Sequence, residues 1–237
     1  MNELLLLFLL TLGAGLAMPF GALLGSVGRS ADRLVEKEFS HTVMAFGGGA
    51  LLSAVALVLV PDGMDTLNPL TAAVCFLLGG LVFMGLDILM VRSSTPASQL
   101  AAMLLDFVPE SLALGAAFAI GNSTAFLLAA LIALQNIPEG FNAFRELSSS
   151  ANFRARTIIL SFTAMAFLGP LSAVGGYYWF SDHKTVLAMT VMTAAGGILY
   201  SVFQDIAPKV KLERHWGPPM GAVLGFMLGM VGEMLLN

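Results

Sequence analysis

Long apolar runs make up almost the whole chain. A helix of about 20 predominantly apolar residues can cross a bilayer, and the sequence contains eight such runs with little between them. Because lipid offers no hydrogen-bond partners to the backbone, each run is expected to be a helix. The sequence therefore predicts a single all-α transmembrane domain, residues 1–237. Its eight spans lie at about 3–27, 42–60, 69–91, 99–120, 123–144, 156–180, 185–206 and 217–236.

The composition agrees with a multi-pass membrane protein. Of the 237 residues, 57% are hydrophobic and 11% are charged, whereas soluble domains have about 25% charged residues. Cys75 is the single cysteine, which excludes an intrachain disulfide and a thiolate metal site. No stretch is basic enough to bind nucleic acid. The first run carries Glu3 but no early Lys or Arg, and it is too long for a signal peptide, so we expect a retained helix.

The positive residues predict the orientation of the chain. Of the eleven Lys and Arg, all but Lys184 fall in the loops after spans one, three, five and seven. Positive loops stay on the cytoplasmic side, so both termini are expected to be extracytoplasmic, in an inner or plasma membrane. The residues of these loops are Arg29, Arg33, Lys37, Arg92, Arg145, Arg154, Arg156, Lys209, Lys211 and Arg214.

Glycines four residues apart predict close contacts between helices. Small residues let helix backbones approach one another in lipid. The spacing leaves open whether the contact lies within one chain or across a homodimer, and we expect the contact within one chain. The glycines are Gly21 and Gly25 in span one, and Gly217, Gly221, Gly225 and Gly229 in span eight.

Two spans carry carboxylates near the membrane centre. Span four contains Asp106-Phe-Val-Pro-Glu110, and span five contains Gln135-Asn-Ile-Pro-Glu139. A charged side chain at this depth costs about 2.5 to 3.5 kcal/mol on insertion scales, and no Lys or Arg lies at matching depth. Protonation, hydrogen bonding or a bound cation would each offset this cost.

The spacing within the two motifs brings their polar groups together. Asp106 and Glu110 are four residues apart, as are Gln135 and Glu139, so each pair lies on one helix face. The prolines free one backbone carbonyl each, which is tolerated where it faces protein or a water-lined cavity. Spans four and five are joined by a short turn, so the motifs are expected to meet near the midplane, where transporters with inverted repeats hold their substrate.

An intramembrane acid/base hydrolase would also use paired carboxylates. The sequence has no motif that would retain water and no second aspartyl signature, so we predict no enzyme.

These motifs resemble the ZIP family of divalent metal transporters, whose fourth and fifth spans carry Pro-Glu-Gly motifs at this spacing. The resemblance implies an inverted-repeat bundle, a metal path between spans two, four, five and seven, and a two-centre metal site on spans four and five. It also implies that spans one, four, five and six move together against the others. The matching segments are Phe46–Ala50, Leu59–Pro61, Gln135–Gly140, Ala194–Tyr200 and Asp205–Pro208.

Carried over to this chain, the resemblance implies a primary metal centre at Asp106, Glu110, Gln135 and Glu139. Asn136 lies beside it as a ligand of a second centre.

Three departures from the family pattern bear on the second centre. Asp106-Phe107 stands where the family usually has His-Asn, Ser111 stands in place of Gly, and Gly169 stands where a Glu often precedes the proline of span six. Two ligands of the second centre are thereby lost, so we expect one metal ion at the core.

The donor set predicts the type of cation. Zinc favours nitrogen and sulfur donors, whereas carboxylates and an amide suit harder cations such as Mn²⁺ and Fe²⁺. We expect divalent cations (Zn, Mn, Fe, Co or Cd) to be substrates carried into the cytoplasm, with no resident cofactor. The alternative, motivated by Phe107 and Gly169, is a protein with the same fold that binds or senses metal without transport.

Further acids mark the expected path of the cation. Asp62 and Asp65 are expected in the outer loop after span two, where they would attract cations, unless Asp62-Gly63 is an ordinary acidic turn. Asp205, at the cytoplasmic end of span seven, is the candidate exit residue because it matches the family motif.

Overall fold

The computed structural model consists of helices joined by short turns in the residues that it describes, which are 3–27, 33–91, 96–119, 124–150, 153–180, 183–210 and 216–236. No strand occurs within these ranges, and the predicted all-α class is confirmed. The helices are α1 (Glu3–Val27), α2 (Arg33–Ser53), α3 (Val60–Thr66), α4 (Pro69–Val91), α5 (Pro96–Ala119), α6 (Thr124–Ser150), α7 (Ala155–Ala166), α8 (Leu168–Phe180), α9 (Lys184–Ser201) and α10 (Gly217–Leu236), with π-helical turns at Ala54–Leu59 and Val202–Ile206.

Six helical segments in the described part of the chain are long and apolar enough to cross a membrane. The two other long helices, α5 and α6, contain the polar motifs. Many large apolar side chains are exposed on the outside of the bundle, where lipid would cover them. The protein is therefore membrane-embedded. The six segments are Glu3–Val27, Glu38–Thr66, Pro69–Leu89, Ala155–Trp179, Lys184–Ile206 and Gly217–Leu235.

Four pairs of helices pack at very close range: α1 with α6, α2 with α10, α4 with α9, and α5 with α8. In every pair, a Cβ added to a glycine of either helix would collide with the backbone of the other, which is why small residues are needed at these crossings. The predicted glycine contacts of the first and last spans are confirmed as contacts within one chain. The reciprocal contacts are Gly21 with Ile137 and Gly140 with Met18, Gly49 with Ala222 and Gly225 with Phe46, Gly79 with Thr193 and Gly196 with Phe76, and Gly115 with Ala173 and Gly176 with Leu112.

These pairs form two groups. Helices α1, α5, α6, α7 and α8 contact one another, while α2 and α3 pack with α9 and α10, and α4 packs on α9. The helices can be exchanged in pairs: α1 with α7–α8, α2–α3 with α9, α4 with α10, and α5 with α6. This exchange turns each close pair into another of the four, so that α1 with α6, for example, becomes α8 with α5. Both π-helical turns follow helices that this exchange relates. The contact pattern therefore has an internal two-fold equivalence.

Three consecutive glycines place α2 between its neighbours. An added Cβ would lie 2.8 Å from Pro138 Cγ of α6 at Gly47, and 2.9 Å from Ile206 Cγ2 at Gly48. At Gly49 it would collide with Ala222 of α10. Because Gly47 faces α6, this segment is where the two groups of helices meet beside the polar motif of α6.

The prediction that Asp62 and Asp65 lie in a loop is wrong. Both residues lie in α3, which follows α2 directly through the first π-helical turn. Gly63 packs so closely on α9 that an added Cβ would be 2.5 Å from Met192 Cε. The Leu67 amide also donates to the Gly63 carbonyl at 3.0 Å. Packing on α9 thus extends the helix past an Asp-Gly pair that is typical of a turn.

Candidate cation site

A hydrogen-bonded pair of polar side chains joins α5 to α6. Nε2 of Gln135 donates to both carboxylate oxygens of Glu110, at 2.7 Å to Oε1 and 2.6 Å to Oε2. Glu110 is 2% exposed and Gln135 is 4% exposed, so the pair lies deep in the bundle. The two motifs therefore come together in the structure, as the sequence predicted.

The proline of each motif lies inside its helix, directly before the glutamate. Helices α5 and α6 continue through Pro109 and Pro138, and each proline leaves the carbonyl four residues earlier without its usual helical donor. The side-chain Nδ2 atom of Asn142 donates to the Pro138 carbonyl at 2.8 Å. The Ser40 hydroxyl of α2 in turn donates to Asn142 Oδ1 at 3.1 Å. These hydrogen bonds link the Pro138 carbonyl to Asn142, and Asn142 to α2.

Gln135 also presents an acceptor that has no protein partner. Its Oε1 atom is buried and accepts no hydrogen bond. The amino group of the amide faces Glu110, where both carboxyl oxygens accept from it. A buried acceptor left without a partner costs about 1–3 kcal/mol, and such an atom is a natural ligand for a cation.

Gln135 and Glu139 line a cavity of about 130 Å³. The cavity passes Asn142 and reaches Glu146 on the same helix. These four residues are spaced at four, three and four positions, which places them on one face of α6. Asn142 and Glu146 were not predicted from the sequence, although their spacing continues that of Gln135 and Glu139. The remaining lining residues are Met44, Gly47, Leu51, Met103, Pro138, Ala143, Ser201, Asp205, Ile206 and Lys209.

Asp205 lies in the second π-helical turn and lines this same cavity together with Glu146. Lys209 is the only Lys or Arg among the described lining residues. The structure thus places the predicted exit residue in one cavity with Gln135 and Glu139. Glu110 is not among the lining residues, although Gln135, which donates to it, is.

Asn136 faces away from this cavity. Its Nδ2 atom donates to the Ala14 carbonyl of α1 at 2.8 Å, and the side chain is 1% exposed. Its Oδ1 atom is buried and has no hydrogen-bond partner. Adjacent helical residues point about 100° apart, which explains why Asn136 contacts α1 while Gln135 contacts α5.

The ring of Phe107 fills the space beside this region. An added Cβ would lie 2.9 Å from Phe107 Cζ at Gly15 of α1, and 2.6 Å from it at Gly169 of α8. Phe107 is itself 1% exposed. Phe107 and Gly169 are therefore in contact, with the large residue occupying the room left by the small one.

Asp106 lies in α5, but its side chain is outside the part of the chain that the structure describes. Within that part, no three His, Cys, Asp or Glu side chains are grouped closely enough to hold a metal ion. The described members of the predicted primary centre are Glu110, Gln135 and Glu139, which supply two carboxylates and one amide.

Asp62 and Asp65 line a second cavity of about 220 Å³ at the opposite end of α9. Lys184, which the sequence analysis did not select, lines it as well. Along α9 the first cavity touches Ser201 and the second touches Val191, so roughly 15 Å of helix separates them. Buried apolar side chains lie on the helices between the two cavities, among them Val55, Val58, Leu59, Leu114 and Ile198.

Comparison with known proteins gave no match, either to a protein-family model or to a curated sequence. Function is therefore inferred from the geometry of the site and from the motifs.

Proposed function

We propose that the protein carries divalent metal cations into the cytoplasm through a site formed by Asp106, Glu110, Gln135 and Glu139. One observation supports this above all others: the buried, unpartnered Oε1 atom of Gln135, which lies with Glu139 at the end of a cavity. A cation held by Glu110 and Glu139 would take this amide oxygen as a further ligand, and its charge would offset the cost of the carboxylates.

The donor set supports a harder divalent cation. Carboxylate and amide oxygens are the ligands that Mn²⁺ and Fe²⁺ accept readily, while zinc favours sites richer in nitrogen and sulfur. The substrates proposed are Zn, Mn, Fe, Co or Cd, with a preference shifted towards Mn and Fe.

The two cavities support transport by alternating access. The cavity at Gln135 leads towards Lys209, which the loop charges assign to the cytoplasmic side. The cavity of Asp62 and Asp65 lies on the other side of a buried apolar layer. A site that is open to one side at a time is what a carrier requires. This arrangement would be the inward-facing state.

The grouping of helices supports a moving bundle. Eight spans with both termini extracytoplasmic, organised as an inverted repeat, would account for the two-fold equivalence of the helix contacts. The moving unit would be α1, α5, α6, α7 and α8. It would slide past α2, whose Gly47 contacts Pro138 in this state. The motifs on α5 and α6, which resemble those of the ZIP family, would travel with the moving unit.

A second candidate function is metal binding without transport. The pairing of Phe107 with Gly169 favours it, because neither residue can bind a cation and both stand where the ZIP motifs that the chain resembles carry ligands.

Reconstitution into proteoliposomes separates the two functions. We expect Mn²⁺ to enter vesicles containing the wild-type protein, and entry to be abolished when Glu110 and Glu139 are both changed to Ala. Glu3→Ala is the control, because Glu3 lies at the surface, where it accepts a hydrogen bond from Tyr177. Mn²⁺ binding without entry would favour the second function, and unchanged entry in the double variant would overturn the proposed site.

A further inference from the structure

The side-chain amide of Gln135 offers opposite chemistry at its two ends. Its amino group is engaged by both oxygens of Glu110, while its carbonyl oxygen is buried without a partner. Gln135 lines the cavity, and Glu110 does not. In this state the amino group therefore occupies a position beside Glu110 that a cation would need.

We propose that Gln135 is a two-position switch that replaces the cation when the carrier is empty. In one position its amino group donates to Glu110, as seen here. In the other, the amide rotates so that its carbonyl oxygen joins Glu110 and Glu139 as a ligand of the bound cation. This inference rests on the proposed function, and it assigns Gln135 a role that a simple ligand would not have.

The rotation that the switch requires involves the side chain alone and leaves the helix in place. Pro138 is packed against Gly47, and its carbonyl accepts from Asn142, so the backbone one turn beyond Gln135 is fixed. The terminal torsion of a glutamine is broad and roughly two-fold. Rotation about it exchanges the amide nitrogen and oxygen without moving α6.

The switch matters for the return of the empty carrier. During net transport, the site must change its accessible side without a cation, with the Glu110 carboxylate still buried. The Gln135 amino group would stabilise the carboxylate in that step, since charge-assisted hydrogen bonds are the strong ones. During exchange of one cation for another, a cation occupies the site each time its accessible side changes. The amino group is then not needed.

Gln135→Glu, assayed at alkaline pH, tests this role, because it keeps the size and an oxygen ligand but replaces a permanent amide donor with a carboxyl group that donates only while it holds a proton. In proteoliposomes we would measure Mn²⁺ entry into metal-free vesicles and the exchange of radioactive Mn²⁺ into vesicles preloaded with Mn²⁺. We expect net entry to fall by about tenfold or more, exchange to remain near the wild-type rate, and Mn²⁺ binding to be retained or tighter. Gln204→Glu is the matched control, because Gln204 is exposed and outside the cavity lining.

Thermal unfolding in detergent gives a second readout. We expect Gln135→Glu to unfold at a lower temperature than the wild type in EDTA, and added Mn²⁺ to restore most of the difference. Equal losses of net entry and exchange in the variant would overturn the switch, and so would a loss of Mn²⁺ binding. Neither result would count against transport by the wild type. Absence of wild-type transport would instead refute the proposed function.

Discussion

Phe107 and Gly169 form a matched pair, in which the aromatic ring lies where any side chain at position 169 would begin. A Cβ on Gly169 would be 2.6 Å from Phe107 Cζ and 3.2 Å from the Thr11 carbonyl oxygen. The ring also touches Gly15, so it packs among α1, α5 and α8. Because the ring fills the space beside two glycines, the core next to the polar motifs is densely packed.

The pair predicts that the core holds one cation. Because Phe107 fills the space next to Gly15 and Gly169, we expect equilibrium dialysis to give one Mn²⁺ per chain. Changing both residues, Phe107→Asn with Gly169→Glu, should add a second ion, since the new side chains and Asn136 Oδ1 would supply oxygen ligands. Each single variant should keep a stoichiometry of one. Two ions bound by the wild type would contradict the prediction.

The same pair predicts a stability effect. Gly169→Ala should destabilise the protein by about 1–3 kcal/mol, because the added methyl overpacks the site. Gly175→Ala is the control in the same helix, since nothing lies within 4 Å of its added Cβ. That variant should be neutral or stabilising, as alanine favours helices by about 1 kcal/mol over glycine. Thermal unfolding in detergent measures both. Adding Phe107→Leu to Gly169→Ala should recover stability, and its failure to do so would point away from the ring contact.

For the proposed transport, the cavity of Asp62 and Asp65 predicts that Lys184 limits cation capture. Lys184 lines the same cavity as Asp62 and Asp65, so its charge opposes theirs. We expect Lys184→Gln to raise Mn²⁺ uptake at subsaturating Mn²⁺ and low salt by roughly two- to fivefold. High salt should remove the gain, since the Debye length falls to about 3 Å at 1 M. Lys184→Arg, which keeps the charge, should behave like the wild type, and a gain that resists salt would disprove the electrostatic cause.

For the proposed transport, the cavity at Gln135 predicts an effect on cation release. Glu146 and Asp205 line it together with Glu139, where they would lower the energy of a cation leaving the site. Glu146→Gln combined with Asp205→Asn should reduce the maximal rate of Mn²⁺ uptake by roughly three- to tenfold, with a smaller change in KM. Glu3→Gln is the control at a carboxylate outside the cavity. A change in KM alone would mean that these acids act before the binding step.

Several features of this protein follow from its sequence because they depend on local chemistry. Runs of apolar residues must be helical in lipid, and side chains four residues apart share a helix face. Together with the short turn between spans four and five, these two facts predicted the all-α class and the meeting of the two polar motifs. The glycine spacing likewise predicted the contacts of α10, because close packing of helices in lipid needs small residues along one face.

Other features were decided only by the tertiary structure, because they depend on which neighbour each residue meets. Packing of Gly63 on Met192 extends α3 through Asp62 and Asp65, against the turn preference of an Asp-Gly pair. Lys184 joins these acids because α9 begins beside the end of α3. Gln135 and Asn136 are adjacent in sequence, yet one holds Glu110 of α5 and the other holds the Ala14 carbonyl of α1. Neighbouring helical side chains point in different directions, so only the packing of α1 and α5 around α6 determines what each of them binds.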